Sequence, residues 1–102
     1  MKLERYPAEK LKKEILAIMA KHLDLRDYRV FFFGSRVRGD SFPRSDIDLG
    51  IEGVHQLAAP TKMAIEDELE NLPTLYTIEL VDFKTVPERF RGEALKYSED
   101  VH

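Results

Sequence analysis

Apolar residues recur at helical spacing near the amino end, at Leu11, Ile15, Ile18, Met19 and then His22 to Leu23, with Lys12, Lys13, Glu14 and Lys21 on the opposite side. Pro7 suits a first turn, so the spacing predicts a helix over about Pro7 to His22. After a polar break at Asp24 to Asp27, the run Tyr28-Arg29-Val30-Phe31-Phe32-Phe33 is aromatic and β-branched and stops at Gly34-Ser35, which reads as a buried central strand. Arg36 to Ser45 holds only Val37 and Phe42 as apolar islands, the pattern of a helical turn followed by a loop. From Asp46 to Glu52 the alternation is clean: Ile47, Leu49 and Ile51 share one face, and Asp46, Asp48, Gly50 and Glu52 the other. Pro60 and Thr61 open a second helix through about Asn71, with Met63, Ile65, Leu69 and Leu72 apolar and the acidic residues Glu66 to Glu70 on a solvated face. Leu75 to Phe83 predicts a third strand. Thr85 and Glu88 then match a capping box for a last helix from about Val86 or Pro87 to Tyr97. The order α, β, short α, β, α, β, α implies an α+β fold, an α/β sandwich whose small mixed sheet carries helices on one face, in a single domain over residues 1–102.

Composition narrows the chemistry. With no cysteine among 102 residues, disulfides, thiolate nucleophiles and cysteine metal sites are all excluded, and His22, His55 and His102 lack any zinc-like spacing. Carboxylates, hydroxyls and arginines must therefore carry any reaction. Lys+Arg 16 against Asp+Glu 19 gives a net charge of −3 and a pI near 5.6, which argues against direct binding of nucleic acid. No run approaches the roughly 18 apolar residues of a membrane span. The charged stretch from Met1 to Lys13 is unlike a secretory signal, so a cytoplasmic location is expected.

Chemistry concentrates between residues 29 and 48. Gly34-Ser35 lies at a strand-to-helix turn, where free backbone N–H groups and the Ser35 hydroxyl can hold phosphate oxygens. Gly34 leaves no side chain between backbone and ligand, and Gly39 suits a left-handed helix end. From Arg29 to Arg44 four arginines stand against one aspartate, a local +3 that favours an anionic ligand. Asp46 and Asp48, two residues apart on one strand face, repel one another unless a cation sits between them, and Mg²⁺ suits such a pair when phosphate oxygens complete its shell.

Gly34-Ser35, Arg38-Gly39 and Ser45-Asp46-Ile47-Asp48-Leu49 together read G-S-x10-D-x-D with an internal R-G. This combination resembles the nucleotidyltransferase superfamily related to DNA polymerase β, and at this length its minimal nucleotidyltransferase (MNT) domains. The resemblance covers about Pro7 to the last strand. It implies a nucleotidyltransferase fold and transfer of AMP, or another NMP, from an NTP to an acceptor hydroxyl by a two-metal Mg²⁺ mechanism, with ATP as donor. Gly34, Ser35, Arg38 and Ser45 would then bind the nucleotide, and Asp46 and Asp48 would ligate metal.

The resemblance also implies a third carboxylate on a later strand, within Thr77-Ile78-Glu79-Leu80-Val81-Asp82. Strand parity selects Glu79, because Ile78 and Leu80 should face the core, and Asp82 is held in reserve. Glu79 departs from the family's usual aspartate by one methylene. A chain with no room for an acceptor domain points to a partner protein, and the resemblance points to a HEPN-type helical RNase toxin, adenylylated on a hydroxyl side chain by this chain as antitoxin. The alternative is a catalytically weak or inactive nucleotide-binding antitoxin that neutralises its partner by covering it. Arg36 and Arg44 read as solvated or rim residues, the phenylalanine run as core, and Tyr97 and the histidines as residues without a functional role.

Overall fold

A computed structural model describes residues 1–39 and 46–102. Its elements are α1 (Ala8–His22), β1 (Tyr28–Phe33), α2 (Ser35–Arg38), β2 (Ile47–Gly53), α3 (Ala59–Glu70), β3 (Ile78–Asp82), α4 (Glu88–Leu95) and β4 (Glu99–Asp100). They match the predicted order, with a short fourth strand added. The four strands form one mixed sheet in the order β3-β2-β1-β4. β1 runs antiparallel to β2 and to β4, and β2 runs parallel to β3.

Strand alternation divides the apolar residues between two faces. Val30 and Phe32 of β1, Ile47, Leu49 and Ile51 of β2 and Leu80 of β3 join Leu11, Ile15 and Met19 of α1 and Ile65 and Leu69 of α3 in the main core. Each such side chain taken fully from water contributes about 1.5–3 kcal/mol, so this α1/α3 face dominates stability. Phe31 and Phe33 point the other way and meet Phe83, with Ala94 and Leu95 of α4 against them. The expectation of helices on one face thus holds for α1 and α3, whereas α4 covers the opposite face. Phe31 and Phe83 pack edge to face, ring centres 4.8 Å apart. Gly50 makes this packing possible, since a Cβ there would come within 2.5 Å of the Phe31 ring and 2.9 Å of the Phe83 ring.

Three further expectations change. β3 begins at Ile78 rather than Leu75. Leu75 is 93% exposed, and pairing with β2 opens where the Ile47 N–H donates to the Thr77 carbonyl. No capping box forms at α4: its N-cap is Pro87, and the Thr85 hydroxyl instead donates to the Asp82 carbonyl at 2.8 Å to close the turn after β3. The acidic face of α3 is not wholly solvated, because Glu68 pairs with Lys21 and His22 of α1.

α4 is fastened to the sheet by a forked ion pair, Arg91 Nε to Glu52 Oε2 at 2.6 Å and Nη2 to Oε1 at 2.9 Å. The guanidinium holds the Glu52 carboxyl below its ordinary range. A carboxylate whose folded pKa lies below its unfolded value contributes stability above the unfolded value and loses it as pH falls through the folded one. Glu52→Gln should therefore lower the melting temperature by a few degrees at pH 7, with the gap to the parent chain closing below about pH 4, as read by thermal melts across pH.

Candidate active site

At the end of β1 the chain reverses through Gly34, at φ 80° and ψ −158°, a backbone region essentially restricted to glycine. Ser35–Arg38 make a single helical turn that ends at Gly39 in the left-handed conformation, φ 88°, whose N–H donates to the Ser35 carbonyl at 2.9 Å. A Cβ on Gly34 would lie 2.1 Å from Oδ2 of Asp48. Register explains the contact, since Phe33, the residue before Gly34, pairs with Asp48 across the antiparallel strands.

The parallel β2–β3 register places Asp48 beside Glu79, on the face opposite the main core. Burial pushes the Asp48 carboxyl above its ordinary range, the neighbouring charges of Glu79 and Asp46 push it the same way, and Arg38 opposes them. Asp82 pairs with Ile51 and belongs to the other face. It is 3% exposed, and its two oxygens accept the Leu57 N–H at 2.7 Å and the Lys84 N–H at 2.9 Å. Its carboxylate is thereby engaged in closing two connections of the sheet.

A cavity of about 500 Å³ opens above Asp48 and Glu79. β1 and the turn after it contribute Phe33, Gly34, Ser35 and Arg38, and β3 adds Val81. The rest of the lining comes from α4 and the residues after it: Phe90, Glu93, Ala94 and Tyr97. Five of the residues singled out in the sequence are thus brought together: Gly34, Ser35, Arg38, Asp48 and Glu79. Asp46 is not among the lining residues. Because β2 starts at Ile47, Asp46 is exposed just before the strand and faces a neighbouring concavity with Glu66, Asp67 and Glu70 of α3, which Glu79 also borders. Ser45 and Arg44 lie outside the described residues. Phe90, Glu93 and Tyr97 gave no sequence signal, as α4 carries no motif and its apolar positions are few.

The basic stretch resolves into separate tasks. Arg29 stacks on Phe31, 4.8 Å from the ring centre, and pairs with Asp100 of β4 at 2.9 Å. Arg36, expected to be solvated, is buried: its Nη1 donates to Glu4 Oε2 at 3.1 Å and its guanidinium lies 4.7 Å from the centre of the Tyr76 ring. The Tyr76 hydroxyl donates to the same Glu4 carboxylate at 3.0 Å. Of the described arginines in the stretch, Arg38 alone lines the cavity.

Among the described residues, no three carboxylates or histidines converge into a ready-made ion cage. Asp48, Glu79 and Asp46 nevertheless present hard oxygen donors whose mutual repulsion a divalent cation would relieve, and magnesium commonly takes only one or two carboxylates and completes its shell with water and phosphate oxygens. The residues present fit such an ion.

A glycine turn opening a short helix is thus set against facing carboxylates on parallel strands. The chain belongs to the polymerase beta nucleotidyltransferase family, whose model matches residues 13–101. It is 32% identical over 83 residues to a Haemophilus influenzae protein named "Probable protein adenylyltransferase MntA", covering 79% of this chain and 73% of that one. In fold it resembles a toxin–antitoxin crystal structure with AMP-PNP, at TM-score 0.73 and 15% identity over 89% of this chain and 72% of the other. It also resembles a chain of a structure described as tri-AMPylated Shewanella oneidensis HEPN toxin in complex with MNT antitoxin, at TM-score 0.67 and 14% identity over 92% and 71% of the two chains.

Two substitutions separate structure from chemistry. Asp82→Ala leaves the buried Leu57 N–H without an acceptor and should cost about 1–3 kcal/mol in denaturant unfolding, whereas Glu79→Gln, at an exposed position, should leave stability within about 0.5 kcal/mol. Gly34→Ala should both strain the turn, by about 1–3 kcal/mol, and displace the Asp48 carboxylate, which the same melts and an activity assay would register together.

Proposed function

We propose that this chain, as one minimal domain over residues 1–102, transfers AMP from ATP to a side-chain hydroxyl of a HEPN-type helical partner in the cytoplasm, acting as antitoxin to an RNase toxin. The observation that carries the reading is the Asp48–Glu79 pair set against the Gly34 turn. The Haemophilus relative's name and the complexes with a HEPN toxin support the partner and the transferred group.

Gly34, Ser35, Arg38 and Ser45 bind the triphosphate, through backbone N–H groups, the serine hydroxyls and the Arg38 cation. Asp46, Asp48 and Glu79 would hold Mg²⁺, which when bound supplies charge neutralisation at the α-phosphate and at the leaving oxygen. The acceptor hydroxyl oxygen forms a new bond to the α-phosphorus, the bond to the β-phosphate bridge breaks, and pyrophosphate leaves with the electron pair. Glu79 takes the hydroxyl proton. Its extra methylene, relative to aspartate, moves the carboxylate by more than an ångström, a displacement that can cost about 10²-fold in rate. A slow transferase is the expected result.

The test is transfer of label from α-labelled ATP, and from the other three NTPs, to the partner with Mg²⁺ present. The parent chain should label the partner, and Asp48→Asn and Asp46→Asn/Asp48→Asn should fall by at least about 10²-fold. Equal labelling by parent and double variant overturns the assignment. A double variant that still protects cells from the toxin would favour neutralisation by binding alone.

A further inference from the structure

We infer that Phe90 and Tyr97 form the subsite for the nucleobase of the donor nucleotide. This rests on the reading of the cavity as a nucleotide site and adds which end of it takes which part of the ligand.

Two large aromatic side chains are left open to solvent on the same wall of the cavity that holds Asp48 and Glu79: Phe90 is 43% exposed and Tyr97 56% exposed. Phe90 stands on α4 and Tyr97 in the turn two residues past its end, and Ala94 between them adds no bulk. Phe90 is held in place from behind by Phe33, nearly perpendicular at 6.1 Å, and by Phe83 at 6.0 Å. The helix bearing it is fastened by the Arg91–Glu52 fork. An exposed ring in fixed orientation at the rim of a ligand-sized cavity is a stacking platform, and such platforms accept any planar base.

Charge gives the direction. Arg38 is the one cation in the described lining, and it stands on the Gly34-Ser35 side. The α4 side contributes Glu93, whose Oε1 is already paired with Lys96 Nζ at 3.0 Å. Arg38, together with the ion that Asp48 and Glu79 would hold, draws a triphosphate to the first end, which leaves the uncharged base on the aromatic rings. There Glu93 can accept, through the Oε2 that Lys96 leaves open, a hydrogen bond from an exocyclic amine such as that of adenine, a donor that uracil lacks.

Calorimetric binding to the full chain with Mg²⁺ tests this, using a non-hydrolysable ATP analogue, its UTP counterpart and inorganic tripolyphosphate. Tyr97→Leu and Phe90→Leu keep apolar bulk but remove the stacking face. Each should weaken the ATP analogue by about tenfold or more while changing tripolyphosphate by less than about twofold, and Tyr97→Phe should match the parent. Glu93→Gln should narrow the preference for the ATP over the UTP analogue. Unchanged affinity of the ATP analogue in both leucine variants overturns the base subsite while leaving the nucleotide reading intact. A parent chain that binds neither nucleotide nor tripolyphosphate overturns both. Unchanged tripolyphosphate binding also reports that the variants are folded.

Discussion

Ile47, Leu49 and Ile51 expose no surface at all, and this one aliphatic stripe governs everything built on β2. A slip of one residue would bury Asp48 and Glu52 in the core and send three isoleucine or leucine side chains into water, a penalty no strand could absorb. The register is therefore rigid, and with it the position of Asp48 against Gly34 and beside Glu79. The site lies on the polar side of a strand whose other side cannot move. Such an arrangement holds catalytic groups more exactly than a loop could.

The same economy runs through the ionic groups. Most charged residues near the site are spent on the scaffold: Arg29 on β4, Arg36 on the amino-terminal segment, Arg91 and Glu52 on α4, and Asp82 on two connections. What is left facing the cavity is a small set with opposed demands, in which Asp48 and Glu79 repel one another and Arg38 offsets part of the repulsion. A ligand carrying both a divalent cation and phosphate would relieve strain of that kind.

How much of this could be read from residues alone depended on periodicity. Alternation at Ile47–Gly53 and helical spacing at Leu11–Met19 are strong signals, and they placed the sheet, the long helices and the facing of Glu79 away from Asp82. The two-residue strand β4 has no period to detect, since its pairing comes from the edge that β1 offers. Thr85 and Glu88 matched a capping box, yet the hydroxyl was drawn to the Asp82 carbonyl instead, a competition between local motif and tertiary turn that spacing cannot resolve. Arg36 was misjudged for a related reason. Its burial depends on Glu4 and Tyr76, 32 and 40 positions away. The aromatic wall of Phe90 and Tyr97 carries no periodic signal, because it becomes a wall only once α4 crosses the Phe31–Phe33 face.

The buried Arg36 ties the glycine turn to distant parts of the chain. Four residues are too few to hold a helix by themselves, so α2 gains its stability from the contacts of its side chains. Among them, Arg36 reaches one group near the start of the chain and one three-quarters of the way along it. The glycine turn that α2 shapes therefore draws its support from both ends of the chain. A chain that has emerged only as far as β2 carries the whole G-S-x10-D-x-D motif in its sequence but lacks the Tyr76 ring that covers Arg36.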